Sequence, residues 1–329
     1  MVAPGTLILT VTRACNLRCA YCPTAKDGWP SLRPADAARA VGLFATRYGG
    51  GDIKIFGGEP LLVPDTVAAA FDAARAEPRI RRIYLSTNGL GLDAAWLARV
   101  RGCSKAVLTV SMDGTAADHN RLRRGLPGVP DTHAHLLGML PALRETPRLV
   151  ITQTIAPATA ARAAGNFAYL RGLGLRAFNL LPGYYIPWSG PQLAALEAGF
   201  SAIGDAIEAA WAAGEPLYLR NLFTRAPLPF FNAGLVVDAD GTIHPANIGL
   251  SGTLDHTRAA TACGTLDDPP SPEALAAAAA RVEPVLRAAL APRVWDSTLA
   301  VDAALTRLVR RLLPAFARKR AAEGQRGIA

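Results

Sequence analysis

The chain has 329 residues, half of them apolar and 19% charged, with 35 Lys and Arg against 26 Asp and Glu. That hydrophobic share excludes a disordered chain, and five cysteines exclude a disulfide-dense secreted scaffold. The formal charge of +9 contains no long basic block, so it reads as an Arg- and Ala-rich composition rather than a nucleic-acid footprint. No apolar run is long enough to cross a membrane, and Met1 to Thr10 lacks the basic start of a signal peptide. A soluble, cytoplasmic protein with reduced cysteines is expected, with neither nucleic acid nor membrane as partner.

Short apolar runs then alternate with helical stretches. Strands are predicted at Leu7–Val11, Ile53–Phe56, Ile83–Ser86, Ala106–Val110, Leu149–Ile155 and Ala177–Leu181. Helices are predicted at Pro34–Tyr48, Pro64–Ala76, Asp93–Arg101, Thr132–Arg144 and Thr159–Gly172, opened by Pro34, Pro64, Asp93 and Thr159. Six strands alternating with helices predict an α/β fold with a parallel sheet, either open or curved into a partial (βα)6 barrel. Ligands should gather at the C-terminal ends of its strands.

After Pro182 the pattern changes. A Pro/Gly/aromatic linker, 183–191, precedes a helix at Gln192–Ala213. Asp240-Gly241 between two β-rich runs reads as a hairpin, and 272–290 and 298–320 read as helices. Two domains are expected, 1–182 and a smaller α+β extension, 183–329.

Cys15, Cys19 and Cys22 follow the first strand directly, at the ligand end of the sheet. Three thiolates from one loop can converge on one metal centre. Structural zinc sites close with four protein ligands, whereas a cubane iron–sulfur cluster held by three cysteines keeps one iron open. The other readings are three small buried residues, or zinc with a remote fourth ligand such as His119 or His244.

The C-x3-C-x2-C spacing, with Tyr21 before the third cysteine, resembles the radical S-adenosylmethionine (SAM) enzymes. The resemblance implies that Cys15, Cys19 and Cys22 hold a [4Fe–4S] cluster. Its fourth iron would be chelated by the amino and carboxylate groups of SAM, and the backbone at Tyr21 would contact adenine. Reductive cleavage would give methionine and a 5′-deoxyadenosyl radical that abstracts hydrogen from a substrate C–H. An electron donor such as flavodoxin or ferredoxin is implied.

Gly57-Gly58-Glu59-Pro60 is similar to the family's segment that holds the methionyl amino group; the plain alternative is a glycine turn with an exposed Glu. Ser86 and Asn88 end the third strand, and Ser111 and Asp113 the fourth, similar to segments lining the SAM pocket. His119 to Arg123 is similar to an H-D-x-x-R stretch of peptide-modifying members, with Asn120 in place of Asp; Arg123 is a candidate carboxylate binder. Gln153 and Asn179 are candidate pocket liners.

The hairpin around Asp240-Gly241 resembles the start of a SPASM or twitch extension, but Ala246 stands where an auxiliary-cluster cysteine would. A twitch-like extension without auxiliary clusters is therefore expected, leaving one [4Fe–4S] centre and favouring redox-neutral outcomes. Cys263 is either a small buried residue or a hydrogen-atom donor to a substrate radical; Cys103 lies at a helix end. The hairpin and the His119–Arg123 segment point to modification of a peptide or protein side chain. No peptide-binding segment is evident before Leu7, so a small metabolite such as a sugar or nucleoside is the alternative. A non-catalytic metal-binding scaffold is the reading from a different class.

Overall fold

The computed structural model describes residues 5–224, 234–247 and 252–326, with side chains through residue 321. The first elements are β1 (Thr6–Thr12), β2 (Leu17–Cys19), α1 (Pro34–Arg47), β3 (Gly51–Gly57), α2 (Pro64–Ala76), β4 (Ile80–Thr87), α3 (Ala94–Arg101) and β5 (Ala106–Ser111). Then come α4 (Ala116–Leu122), β6 (Arg123–Gly125), α5 (Thr132–Arg144), β7 (Leu149–Ile155), α6 (Ala163–Gly172), β8 (Ala177–Pro182), α7 (Gly190–Ala212) and β9 (Tyr218–Leu219). The chain closes with β10 (Leu235–Val237), β11 (Thr242–His244), α8 (Arg258–Thr261), β12 (Gly264–Thr265), α9 (Pro272–Ala289) and α10 (Pro292–Arg326).

Local chemistry explains the boundaries. Pro34 and Pro64 open α1 and α2, where the missing N–H costs nothing. Asp93 and Asp131 cap α3 and α5 by accepting from Trp96 N (2.8 Å) and Ala134 N (2.9 Å). Gly241 turns the β10–β11 hairpin with φ +82°, and its N–H donates to Asp238 O.

The described residues form two compact units. The first draws on Met1–Val110, Arg123–Leu149 and Ala226–Ala291, the second on Ser111–Leu122, Val150–Arg225 and Pro292–Ala329. The expected division at 182/183 does not follow these units. The reason is β10, whose three residues are all buried and which adds in parallel to the edge of β1, Leu7 beside Leu235 and Leu9 beside Val237. The segment after Pro182 is thereby shared between the units.

In the first unit the strand order is β12-β11-β10-β1-β3-β4-β5, with β10, β1, β3, β4 and β5 parallel. Leu9, Ile55, Leu85 and Leu108 lie in register and are fully buried. The residues that follow them, Thr10, Phe56, Ser86 and Thr109, form the next row on the other face, where Phe56 and Ser86 are half-exposed. In the second unit β7, β8 and β9 are parallel; Phe167 of α6 packs on Phe178 of β8 with ring centres 4.8 Å apart. Among the described residues no helix is long and apolar enough to cross a membrane.

Candidate cofactor site

The cysteine loop leaves β1 after Thr12 and returns to it. Leu32 N donates to Val11 O (2.9 Å) and Ser31 Oγ to Thr12 Oγ1 (2.8 Å), so residues between them form a closed excursion at the strand's C-terminal end. Within it β2 pairs antiparallel with β6, Cys19 opposite Arg123 and Leu17 opposite Gly125. Cys22 N donates to Cys19 O (3.0 Å), and Leu17 N donates to Cys15 Sγ (3.4 Å). All three thiols are half-buried.

Burial pushes the Cys15 thiol up, with help from the charges of Glu59 and Cys22. Burial also acts on Cys22, but Lys26 and hydrogen bonds at Thr24 outweigh it and hold that thiol below its ordinary range. Lys26 Nζ lies 3.3 Å from Cys22 Sγ. Among the described residues no three His, Cys, Asp or Glu side chains are gathered as a metal site. The donor set is nevertheless the chemistry an iron–sulfur cluster takes: three thiols on one loop, the last with a cation on its sulfur.

Gly57 and Gly58 have an internal task. A Cβ on Gly57 would stand 2.1 Å from Thr12 O, and one on Gly58 2.2 Å from Arg13 O and 2.3 Å from Ala14 O. Gly58 N and Glu59 N donate to Thr12 O and Ala14 O, both at 2.8 Å. The end of β3 is thus bonded to the segment entering the cysteine loop, an approach that only glycine permits.

Glu59 is not the exposed carboxylate of a plain glycine turn: it is fully buried. It accepts from Thr87 Oγ1 (2.6 Å), Asn88 N (2.7 Å) and Leu61 N (3.1 Å). Burial raises its pKa, opposed by those three donors and by the charge of Arg123. Pro60 opens the short turn behind it. Asn88 in turn donates from Nδ2 to Asn16 Oδ1 (2.8 Å), beside Cys15, so the end of β4 also fixes the loop. Ser86 stands half-exposed in a row with Thr10 and Thr109, whose buried hydroxyls lack a partner among the described residues. Arg123 is buried, and its guanidinium lies 5.4 Å from the centre of the Tyr21 ring. Its place is over that aromatic and within the field of Glu59.

Two further features escape sequence reading. Arg13, wholly buried two residues before Cys15, is held bidentately by Asp238 of the hairpin, 225 residues away. The Trp29 ring contacts both Arg13 (3.6 Å to the ring centre) and Arg258 (4.6 Å), and Arg258 also pairs with Asp240. The hairpin's role here is to brace the entry to the cysteine loop. No local signal marks this, because each partner alone is an ordinary loop Arg or turn Asp.

Cys263, the candidate hydrogen donor, stands apart from the loop that carries Cys15, Cys19 and Cys22. It precedes β12, three strands from β1, level with His244 and hence with Ile8 rather than with the end of β1. Its N–H and thiol both reach Ile243 O, at 2.9 and 3.4 Å, and burial pushes the thiol up to about 11. It stands beside the last residue of β11, which runs back against the parallel strands. Cys103 is buried behind α3.

The remaining expected residues belong to the second unit. Ser111, the last residue of β5, is half-exposed. Asp113 is buried and accepts from Thr154 N (2.9 Å), while its own N–H donates to His119 Nδ1 (3.2 Å). Gln153 does not line the strand-end face. It shares the face of Ile151, sits opposite Leu180 and donates to Ala163 O (3.2 Å) at the start of α6. The neighbouring Thr152 and Asn179 (3.4 Å apart) occupy the other face. One residue of pleat separates the two assignments. Asp118, overlooked in the sequence, accepts from Arg162 and from Asn166 Nδ2 (2.8 Å); hydrogen bonds from Arg162 hold its carboxyl below the usual range.

Residues 9–132 match the model of the Radical SAM superfamily. The chain is 38% identical to a GTP 3′,8-cyclase of Mycolicibacterium smegmatis over 121 residues, 34% of this chain and 32% of that protein. It is 37% identical to the GTP 3′,8-cyclase of Stenotrophomonas maltophilia over 156 residues, 42% and 44% of the two. The matches thus span about a third to under half of these relatives. Among solved structures, anSMEcpe with bound AdoMet superposes with TM-score 0.67 at 18% identity, covering 82% of this chain and 79% of that one. Streptococcus suis SuiB bound to S-adenosylmethionine gives 0.57 at 13%, covering 76% and 62%. These likenesses show a shared fold, the partial-barrel α/β class anticipated from the alternating strands and helices. Residues 9–132 of the chain therefore match a radical SAM superfamily domain.

Proposed function

We propose that this protein is a radical SAM enzyme acting on a small metabolite of the nucleoside or sugar class. The observation that carries the enzyme reading is the cysteine loop, bonded at its root to the β3 glycines and through Asn16 to the end of β4. When bound, a [4Fe–4S] cluster and SAM supply a 5′-deoxyadenosyl radical able to take hydrogen from an unactivated C–H. Cys15, Cys19 and Cys22 hold the cluster. Tyr21, Ser86, Asn88 and Arg123 stand around the same strand ends and serve SAM. Glu59 keeps Thr87 and Asn88 in place and has lone-pair capacity left for an ammonium. A flavodoxin- or ferredoxin-type protein supplies the electron.

The substrate class follows from two considerations. The sequence relatives named above are GTP 3′,8-cyclases, which act on a nucleotide. The features that pointed to peptides have internal tasks instead: His119 accepts from Asp113 N, Arg123 lies over Tyr21, and the hairpin braces Arg13. The test is anaerobic reconstitution with iron and sulfide, then dithionite and SAM, with 5′-deoxyadenosine followed across nucleosides, nucleotides, sugars and short peptides. Stimulation by a nucleoside or sugar compound supports the reading, and stimulation by peptides alone moves the substrate to that class. A cluster-loaded protein that forms no 5′-deoxyadenosine under any condition is the scaffold.

A further inference from the structure

We propose that Lys26 is a positioning residue for the cluster: its ammonium caps the Cys22 sulfur and raises the reduction potential of the centre that Cys15, Cys19 and Cys22 hold. The inference rests on the cluster reading above. Lys26 stands four residues beyond Cys22. Its Nζ lies 3.3 Å from Cys22 Sγ and 3.1 Å from Thr24 O, so a backbone carbonyl aims the charge at the sulfur. The side chain is half-buried, which limits screening by water.

Arg18, a second cation on the loop, is engaged differently. Arg18 donates to Cys15 O (2.8 Å) and Leu17 O (3.2 Å) and pairs with Asp27 (2.9 Å). It bonds the backbone of the loop, and Lys26 bonds a sulfur. Cys22 and Cys15 are therefore not equivalent: Cys22 carries a charge-assisted donor, while Cys15 accepts a backbone N–H from Leu17. Donors to ligand sulfurs and nearby positive charge both favour the more negative, reduced state of an iron–sulfur centre. Such a bias eases the entry of the one electron on which SAM cleavage depends.

The experiment is an EPR-monitored redox titration of the full reconstituted chain, wild type against Lys26→Met and Lys26→Arg, with iron and sulfide measured in each. Lys26→Met should load as well as wild type yet show a lower midpoint potential. At a fixed potential its reduced-to-oxidised ratio should fall about tenfold, equal to about 59 mV for a one-electron couple. Lys26→Arg should restore most of the difference. Equal midpoints for wild type and Lys26→Met overturn the proposal while leaving the cluster in place. If Lys26→Met takes up no iron, Lys26→Gln is titrated instead. Loss of iron in both, with Lys26→Arg loaded, overturns tuning in favour of a purely structural role. A wild-type chain that forms no cluster refutes the underlying site, an outcome distinct from both.

Discussion

The cysteines beyond the end of β1 and the one beside the hairpin stand in different surroundings. At the C-terminal end of β1, Cys15, Cys19 and Cys22 ride on a loop whose root is bonded to Gly58, Glu59 and, through Asn16, Asn88. Beside the hairpin, Cys263 meets Ile243 O and has its thiol pushed up by burial, the opposite of the cation-assisted Cys22. Strand direction decides which is which. Parallel strands deliver their following loops to one end, whereas β11 runs back against them and Cys263 stands beside its last residue, His244, level with Ile8.

The hairpin nonetheless supports the loop from a distance, and this gives the largest expected effect short of losing the ligands. Asp238→Ala leaves the Arg13 guanidinium buried without its bidentate partner, which should cost about 3–5 kcal/mol in urea unfolding. If the cost is that of a surface ion pair, the brace between hairpin and loop is not structural. Gly58→Ala comes next: a Cβ 2.2 Å from Arg13 O forces the β3 end off the loop. About 1–3 kcal/mol should be lost, with lower iron uptake on reconstitution. Normal iron uptake in a stably folded Gly58→Ala would separate the glycines from the site.

The hairpin also holds His244, which is buried, accepts or donates at Thr261 Oγ1 (3.3 Å), and has its pKa lowered from 6.5 to about 4, chiefly by burial. The unfolded chain then binds the proton more readily than the folded one. Stability is at its full value above about pH 6.5 and declines as pH falls toward about 4. His244→Gln should flatten the dependence of Tm on pH across that window; an unchanged slope places the responsible group elsewhere. The smallest effect is expected for Cys263→Ser, which should leave iron content and 5′-deoxyadenosine formation unchanged. A selective loss of product with normal 5′-deoxyadenosine formation would identify Cys263 as a hydrogen donor.

Much of the parallel framework is readable in the sequence because its signals are local. Leu149–Ile155, Pro64–Ala76 and Thr132–Arg144 emerge with the bounds that apolar runs, Pro and capping Asp dictate. The cysteine loop is readable for the same reason, since spacing and strand-end placement are visible within a few residues. What stays hidden depends on distant partners. The β10–β1 pairing joins Leu235 to Leu7, and the Arg13–Asp238 pair spans 225 residues. Neither follows from a hairpin's own pattern. Gln153 shows a subtler limit: it stands on the predicted strand, but one step of pleat puts it on the helix-covered face, while Thr152 and Asn179 share the other. Glu59 shows another, because a carboxylate in a glycine turn gives no sign that three donors of the next strand and turn will enclose it.

The central claim is that one cysteine loop carries the cofactor and the other two cysteines do not. Its most direct test is iron and sulfide analysis with EPR of the dithionite-reduced protein in three reconstituted chains. These are the wild type, the Cys15/Cys19/Cys22 triple serine variant and the Cys103/Cys263 double serine variant. Wild type and the double variant should each hold about four iron atoms per chain and give the same cubane signal, with the triple variant giving none. A cluster signal that survives in the triple variant, or disappears from the double one, would contradict the account.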